Sequence, residues 1–403
     1  MLDDPEAVIA KEKTTPWLKI QVLSMAAGLS YMGSSLTTFA VVLRDKDSVG
    51  PGGISILLLA MLLPNILMAP LSGQIADRFP SRRVMPLALV AMSISSLSIA
   101  LIPESWWAPF ALFITATFGT MVGAASSATV GYVSNPGDMT RVAGIQTTYV
   151  SLGSLLGPAA GGLLVGTTGF FWPFVIDSAS FVILAFVFLA TGLNRPAMEH
   201  EAGQKPRALD GFRFIFKHRL LRSIMVILIV MILALGAISV GEVFLVVDEL
   251  GADAITYGII GALFAGGSLI GALLLQALKI KEKHQVPGLL VAMSLAVTSF
   301  ALLGLSQSIV MVAAVYFLAG VGNAGINVFA IGQIQRNATE AARGRIMAAV
   351  QGSLTAGNVT SLGLGGILIG IFGVREVFVS AGVVALIALT ILGPQMLKAA
   401  RQQ

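Results

Sequence analysis

The segment GIQTTYVSLGSLLGPAAGGLLVG, residues Gly144–Gly166, decides how the chain folds. It carries no charged residue and is long enough to cross a bilayer as a helix, which takes about 20 apolar residues. Gly153, Gly157 and Gly161 fall four apart and therefore share one face of that helix. Because glycine has no side chain, a neighbouring helix can approach this face to backbone contact. Pro158 removes one backbone donor in mid-span and predicts a bend there.

A similar glycine-rich segment returns 204 residues later. The matched pairs are Gly153 with Gly357, Gly161 with Gly365, Gly162 with Gly366, Gly166 with Gly370 and Gly169 with Gly373. The segment PLALVAMS from Pro86 also matches PGLLVAMS from Pro287 at nearly the same offset. Two matches at one period predict an internal duplication of about half the chain. Many secondary transporters are built from parallel repeats of this size.

The composition is that of a membrane protein. Of the 403 residues, 56% are hydrophobic and 11% are charged, and the mean hydropathy is +0.88. A soluble protein carries about 25% charged residues, so an integral membrane protein is predicted. The absence of cysteine excludes disulfides and thiolate metal sites. The acidic, polar N-terminus does not predict a cleavable signal peptide, so the first span is expected to drive insertion.

Apolar runs separated by charged loops predict twelve transmembrane helices. Their approximate bounds are 18–43, 53–76, 85–103, 108–133, 142–166, 173–193, 222–248, 254–278, 287–306, 309–333, 345–372 and 374–394. Of the 25 Lys and Arg, all except Arg44, Lys46 and Arg375 fall at the termini and in alternate loops. Basic loops stay on the cytoplasmic side, so both termini are predicted to be cytoplasmic, with the protein in the cytoplasmic (inner) membrane. The net charge of +5 is then a consequence of topology and does not indicate an anionic partner.

The duplication and the polar stretch between spans six and seven divide the chain. We predict an all-α membrane protein whose two pseudo-symmetric six-helix bundles occupy 18–193 and 222–394. Residues 1–17 and 395–403 are predicted cytoplasmic tails, and 194–221 a cytoplasmic central loop. Within and after that loop, LDGFRFIFKHRLLRS (209–223) mixes aromatic with basic residues. This pattern suits a helix lying on the inner membrane surface, or equally a basic linker.

The loop after span two reads GQIADRFPSRRVM, residues Gly73–Met85, and resembles the signature loop of the major facilitator superfamily, Gly-x-Leu-Ala-Asp-Arg-x-Gly-Arg-Lys. The matching residues that we assign to a cytoplasmic gate are Gly73, Asp77, Arg78, Arg82 and Arg83, together with Arg141 ahead of span five. An acid at a helix end can meet an opposing helix N-terminus and nearby arginines. Such contacts would hold the two halves closed on the inside and release in the other state. Pro80 replaces the second glycine, and a basic loop that only fixes topology is the alternative.

Span five resembles the antiporter motif of the same superfamily, Gly-x8-Gly-x3-Gly-Pro-x2-Gly-Gly. The residues that match are Gly144, Gly153, Gly157, Pro158, Gly161 and Gly162. In the family this motif accompanies export in exchange for protons, whereas physically it is also a packing helix of small residues. Segments on span one and FVIDSASF near span six look like the drug and siderophore exporter branch. The chain departs from that branch at Ser34, where an acid is frequent, and in lacking the span-four arginine.

Few carboxylates fall within the predicted spans. Asp177 and Asp248 lie near span ends, where water could hydrate them, whereas Glu242 lies inside span seven between LGAISVG and VFLVV. A charged carboxylate in the membrane is costly, and protonation removes most of that cost. Glu242 is therefore the predicted proton-coupling residue. The alternative is an interfacial glutamate that faces water.

Polar side chains on the spans predict a mostly apolar substrate cavity. The candidates are Tyr31, Ser34, Thr37, Met121, Gln146, Tyr149, Asn323, Asn327 and Asn358. Hydrogen bonding between helices is the commoner use of such residues and is the alternative. Because these positions carry no clustered charge, a lipophilic or amphiphilic small molecule is expected and a strongly anionic one is not.

These features together predict a secondary active transporter, a proton-coupled exporter working by alternating access. We expect a monomer that uses a proton gradient and meets membrane lipid, with no cofactor, metal or nucleic acid. No nucleotide-binding loop, nucleophile elbow or metal-ligand spacing indicates an enzyme. The alternatives on the same fold are a lipid or lysolipid flippase and a siderophore exporter. A transport-inactive membrane sensor or scaffold is the alternative of another class.

Overall fold

Helices form the regular structure of this protein throughout the residues that the computed structural model describes, which are 14–197, 209–278, 280–337 and 340–401. The predicted tails and central loop fall partly on 1–13, 198–208 and 402–403, outside the described residues. The helices are α1 Trp17–Leu67, α2 Ala69–Arg78, α3 Ser81–Leu101, α4 Trp107–Val133, α5 Met139–Thr168, α6 Phe171–Thr191, α7 Leu209–Lys217, α8 Arg219–Leu235, α9 Ile238–Val243, α10 Ala254–Ala277, α11 Gln285–Gly304, α12 Ile309–Asn337, α13 Glu340–Phe372 and α14 Val374–Arg401.

The first two predicted spans are joined in α1. This helix has 51 residues, or about 76 Å at 1.5 Å per residue, more than twice the roughly 30 Å hydrocarbon core. It is interrupted at Gly50, whose φ of 63° and ψ of −172° are available to glycine without strain. Among the described residues, eleven helical segments are long and apolar enough to cross a membrane, and α1 is one of them. The second predicted span, 53–76, begins in α1 and continues into α2, Ala69–Arg78. With α1 counted as the first span and the start of the second, the twelve predicted spans correspond to the described helices.

The helices group by their contacts into two compact units. As far as the chain is described, unit 1 contains 14–38, 63–157 and 170–197, and unit 2 contains 39–62, 158–169 and 209–401. Helices α1 and α5 therefore contribute one part to each unit. The predicted bundle boundaries at 193 and 222 follow the repeat and stay a prediction.

Unit 1 has its core between α1, α3, α4 and α6. Leu89, Phe181 and Phe188 are fully buried there. The serines of α3 add hydrogen bonds between helices: the Ser93 and Ser178 hydroxyls lie 2.8 Å apart, and Ser95 Oγ donates to the Ala111 carbonyl at 2.7 Å. Such bonds hold helices together where the hydrophobic effect gives no preference for helix over lipid.

Unit 2 has its main core between α8, α11, α12 and α14, where Leu289, Met293 and Ala385 are fully buried. The aromatic and basic segment after the central loop begins as α7, which ends at Lys217. Ile215 of α7 packs with Leu221 and Ile346 in a second, smaller cluster. The segment is therefore helical on both sides of His218, since α8 begins at Arg219. Its placement on a membrane surface stays a prediction. The last helix, α14, runs to Arg401, so it extends through the described part of the predicted C-terminal tail.

The glycines of α5 form two contact faces. In unit 1, a Cβ at Gly153 would lie 2.5 Å from the Gly28 carbonyl oxygen of α1, and one at Gly157 would overlap Ser35. In unit 2, a Cβ at Gly162 would lie 2.5 Å from the Ala254 carbonyl oxygen of α10. A Cβ at Gly161 would also meet α1, at the Phe39 ring, so the predicted close approach is present along the face of Gly153, Gly157 and Gly161. Gly162 adds a close approach on a second face. Around Gly144 there is open space, so the seam of close contacts begins at Gly153. The helix is continuous through Pro158.

The second glycine segment makes contacts that repeat those of the first. The corresponding pairs are Gly153–Gly28 with Gly357–Ile232, and Gly162–Ala254 with Gly366–Pro51. Each residue of the first contact differs in sequence position from its counterpart in the second contact by nearly the offset of the repeat. Pro51 precedes its counterpart Ala254, whereas the other residues of the second contacts follow theirs. The repeat is thus visible in the packing as well as in the residues.

Candidate functional site

Glu242 lies on span seven between two irregular turns, at which Gly236, Ala237 and Phe244 keep helical backbone angles. Helix α8 ends at Leu235 and α9 begins at Ile238. The chain then continues from Phe244 to Glu249 as a π-helix. A π-helical turn is uncommon, and such turns occur frequently at functional sites.

Two tyrosines hold the carboxylate of Glu242. Tyr316 Oη on α12 donates to Oε2 at 2.7 Å, and Tyr257 Oη on α10 donates to Oε1 at 3.1 Å. Both tyrosines are buried, whereas Glu242 is half-buried. In the described part of the chain no ion pair involves Glu242. The carboxylate is therefore held by neutral donors, an arrangement in which a proton could remove its charge without breaking an ion pair.

Neither tyrosine was singled out in the sequence. Tyr257 and Tyr316 each interrupt a long apolar span, and a buried tyrosine hydroxyl usually requires a hydrogen-bond partner. That requirement was the available signal, but it does not say which acid is the partner.

Tyr257 also connects Glu242 to α1. Its ring stacks on Phe39, with the ring centroids 4.9 Å apart. Further along α1, Lys46 pairs with Asp47 at 2.6 Å and with Asp248. In unit 2 the predicted extracellular part of α1 is thus tied to span seven and α10 by an aromatic contact and an ion pair. Asp248 is a partner in that pair, and it is more than a hydrated residue at a span end.

Asp77 of the gate motif has a partner that the sequence analysis missed. Arg195, just after α6, donates from Nη2 to Asp77 Oδ1 at 2.8 Å and from Nη1 to the Ala76 carbonyl at 2.8 Å. The Arg195 backbone N–H donates to Ser81 Oγ at 2.8 Å. Arg195 therefore fastens the end of α2 and the start of α3 to the end of α6. In the sequence it looked like one more basic residue of a cytoplasmic loop.

The other residues of the predicted gate are placed less closely. Arg82 and Arg83 are exposed, and a Cβ at Gly73 would meet open space. In the described residues no ion pair joins Asp77 to Arg78, Arg82 or Arg83. Arg141 lies over the Trp17 ring, with its guanidinium carbon 4.3 Å from the centroid. These contacts all lie within unit 1, and the gate between the two halves stays a prediction.

Several predicted cavity residues form hydrogen bonds between or along helices. Ser34 and Thr37 donate to Asp177 at 3.3 and 2.7 Å. Asn323 donates to Ser268 Oγ at 3.3 Å, and Asn327 donates to the Asn323 carbonyl at 2.9 Å. Of the remaining candidates, Tyr31 and Asn358 are exposed and Met121, Gln146 and Tyr149 are half-buried. Tyr31 to Tyr149 belong to unit 1 and the asparagines to unit 2, so a common cavity stays a prediction.

Asp177 is buried, with 1% of the residue exposed. The expectation that it is hydrated near a span end is therefore wrong. Gly33 of α1 explains the difference, because its missing side chain lets α1 approach α6 so closely that a Cβ there would lie 2.9 Å from Asp177 Oδ1. Asp177 is a second intramembrane carboxylate that the sequence analysis did not select.

Unit 2 contains a cavity of about 440 Å³ between spans seven, eleven and twelve. Its lining is mostly aliphatic with a few polar groups and contains none of the predicted cavity residues. The lining residues are Leu233, Ala234, Ala237, Ser361, Leu364, Gly365, Leu368, Phe372, Glu376, Val377, Ser380, Ala381 and Val384. No group of three or more His, Asp or Glu side chains able to hold a metal ion occurs in the described ranges.

The sequence profile of the Major Facilitator Superfamily matches the chain over residues 23–278 and 243–398. Among curated proteins, the chain is similar to the uncharacterized MFS-type transporter YfiS of Bacillus subtilis strain 168, with 22% identity over 410 residues, 95% of this chain and 94% of that protein. It is 29% identical over 338 residues to the enterobactin exporter EntS of Shigella flexneri, covering 81% and 77%. It is also 26% identical over 279 residues to the multidrug efflux pump Tap of Mycobacterium bovis (BCG / Pasteur 1173P2), covering 63% and 64%.

Among solved structures, the chain is similar to the POT family transporter PepTSo, with a TM-score of 0.75 and 12% identity over 96% of this chain and 99% of that one. At this identity the likeness concerns the fold alone. Together with the described helices, it confirms the predicted all-α membrane protein of the major facilitator fold.

Proposed function

The chain belongs to the Major Facilitator Superfamily, and we propose that it exports lipophilic or amphiphilic small molecules in exchange for protons. The family is one of transporters, so the chain is a transporter and not an enzyme, as the sequence predicts. The direction of transport, the coupling ion and the substrate class are the proposal. The similarity to proteins named as a multidrug efflux pump and an enterobactin exporter supports export.

The arrangement around Glu242 carries the proposal of proton coupling. This acid lies next to a π-helical segment of span seven, and both its oxygens accept from buried tyrosine hydroxyls. Burying a charged carboxylate is costly, and a proton removes most of that cost. Proton binding from the predicted extracellular side therefore favours the state in which Glu242 is enclosed. Release of that proton on the other side completes one exchange cycle.

The contacts of Tyr257 suggest how this proton acts on the rest of unit 2. Tyr257 donates to Glu242 and stacks on Phe39 of α1. A change in the charge of Glu242 therefore acts on a side chain that touches α1. We propose that neutral Glu242 favours the packed arrangement of α1, α9 and α10, so that the carrier returns inward to load substrate. Rocking of two repeats about a central site is the motion that such folds use.

The test is efflux from proteoliposomes of the full chain with ethidium as the probe. We expect an imposed proton gradient to drive ethidium export by wild type. Glu242→Gln keeps the size of the side chain but cannot bind and release a proton. Its amide oxygen can accept from one tyrosine hydroxyl, and its NH2 group can donate to the oxygen of the other. Gradient-driven export should fall by roughly 5- to 150-fold, the range of ordinary coupling free energies. Ethidium–ethidium counterflow should survive.

Glu104→Gln is the matched control, because Glu104 is an exposed acid in the loop between α3 and α4. It should export as wild type does. Gradient-driven export that is unchanged in Glu242→Gln would remove Glu242 from the coupling mechanism. Binding of ethidium by wild type without any counterflow would favour the sensor or scaffold alternative.

A second candidate is export of a catecholate siderophore. It is favoured by the 29% identity to the enterobactin exporter EntS over 81% of this chain. Iron-free enterobactin supplied as competitor would then slow ethidium efflux, and the labelled siderophore would itself be exported. If enterobactin neither slowed ethidium efflux nor was itself exported, the siderophore candidate would be rejected in favour of the lipophilic substrate class. A flippase would be indicated by transfer of labelled lysolipid between leaflets.

A further inference from the structure

We propose that Asp177 is a second proton-binding site, formed in unit 1 by a cage of hydroxyl groups from α1 and α3. The site lies in a different compact unit from Glu242. It goes beyond the proposed function, because proton binding at Asp177 does not require that the chain export anything.

The cage binds the carboxylate through three hydroxyl donors. Thr37 Oγ1 and Ser96 Oγ donate to Asp177 Oδ2 at 2.7 and 2.8 Å. Ser34 Oγ lies 3.3 Å from Oδ1. Asp177, Thr37 and Ser96 are all buried, at 1%, 3% and 0% exposure. In the described residues no ion pair involves Asp177, so the negative charge has only neutral donors.

Ser34 makes the site able to satisfy both protonation states. Its single hydroxyl hydrogen has two acceptors in reach, Asp177 Oδ1 at 3.3 Å and the Ser30 carbonyl at 3.2 Å. When Asp177 is charged, Ser34 can donate to Oδ1. When Oδ1 carries a proton, the acid can donate to Ser34 Oγ, while the Ser34 hydrogen turns to the Ser30 carbonyl. No buried polar group is then left without a partner in either state.

Ser96 Oγ also has two acceptors within hydrogen-bonding distance. It donates to Asp177 Oδ2 and also lies 3.3 Å from the Phe174 carbonyl. Thr37, by contrast, is directed at Oδ2. Oδ2 therefore has the two shorter bonds and Oδ1 only the longer one, which assigns the proton to Oδ1.

The route to the site and its electrostatic surroundings agree with proton exchange. Ser34 is half-buried, so it is the member of the cage that can meet water. The helices packed on Asp177 carry four other ionisable side chains in their unit 1 parts: Lys19 and Tyr31 on α1, and Arg82 and Arg83 on α3. Lys19 is about 27 Å along α1 from Thr37, and Arg83 about 20 Å along α3 from Ser96, at 1.5 Å per residue. Tyr31 is exposed, and none of the four bonds to Asp177 in the described structure.

Infrared difference spectroscopy of the full chain in lipid nanodiscs tests this site, because a protonated carboxyl group in a dry site has its own carbonyl-stretch band. We expect acidification to produce a carboxylic-acid band that disappears at alkaline pH and shifts in deuterated water. Asp177→Asn should remove this band and leave the band of Glu242. Ser34→Ala keeps the acid but removes its switching partner, so it should move the Asp177 band to higher frequency.

Two outcomes would overturn the proposal. One is a spectrum in which Asp177→Asn removes no titrating band although the variant is folded. The other is an Asp177 band that persists at every pH, which would mean a permanently neutral acid. The spectra need no transported compound. A negative result therefore contradicts the proton site at Asp177 without bearing on the proposed export. If Asp177→Asn does not fold, the Ser34→Ala spectrum decides alone, since an unmoved band contradicts the cage.

Discussion

At the scale of single residues, the structure separates polar side chains that hold the fold from those that could carry a proton. Arg195 belongs to the first kind. It is buried and its guanidinium bridges the Ala76 carbonyl and the Asp77 carboxylate. Glu242 and Asp177 belong to the second kind, since their partners among the described residues are hydroxyl groups.

Arg195→Ala should lower the stability of the protein. It removes two hydrogen bonds of a charged donor, each worth about 1.5–3 kcal/mol, and leaves Asp77 without its partner. Arg195→Lys should recover only part of the loss, because one ammonium cannot bridge two acceptors as a planar fork does. Thermal unfolding in detergent measures this, with the exposed Arg83→Ala as control. An Arg195→Ala variant that unfolds at the same temperature as the Arg83→Ala control would refute the role given to Arg195.

How far the residues could be predicted depended on whether their partners were local. Glu242 stood out because an acid inside an apolar run is rare and costly. Its partners Tyr257 and Tyr316 lie on other helices, and the sequence carries no signal for that pairing. Asp177 was discounted because it is near a span end. The approach of α1 at Gly33 and the contact of Ser96 on α3 bury it, and both are tertiary effects.

At the scale of elements, the glycines of α5 lie on two faces that contact different helices. Gly153 and Gly157 pack against α1 inside unit 1, whereas Gly162 packs against α10 inside unit 2. The sequence predicted that Gly153, Gly157 and Gly161 share one face, and all three meet α1, Gly161 at the Phe39 ring. The spacing by four gave no signal that Gly162 meets a different helix. Helix identity and approximate span bounds followed from apolar length, but the π-helical segment after Glu242 did not.

Gly162→Leu should impair transport while leaving membrane insertion intact. The new side chain would meet the Ala254 carbonyl and displace the backbone of α10, and overpacking of this kind costs about 1–3 kcal/mol or more. Gly131→Leu on α4 is the matched control, since a Cβ there meets open space. Ethidium efflux and the amount of inserted protein are the measurements. A Gly162→Leu variant as active as Gly131→Leu would mean that α5 and α10 need not approach closely.

At the scale of the whole molecule, the absence of cysteine makes the proposed topology easy to test. Glu104 lies between α3 and α4 and Glu282 between α10 and α11, and both are exposed. With cytoplasmic termini, a membrane-impermeant maleimide added to whole cells should label Glu104→Cys and spare Glu282→Cys until the cells are opened. The reverse pattern would invert the orientation and place the basic loops outside.

The central claim is that protons and a lipophilic compound move in opposite directions through this chain. The most direct measurement imposes an outward ethidium gradient on proteoliposomes without any pH gradient and records the pH outside. Wild type should draw protons inward as ethidium leaves, so that the external medium becomes alkaline, and Glu242→Gln should do so less per ethidium moved. Ethidium leaving wild-type vesicles with no proton movement would contradict the account.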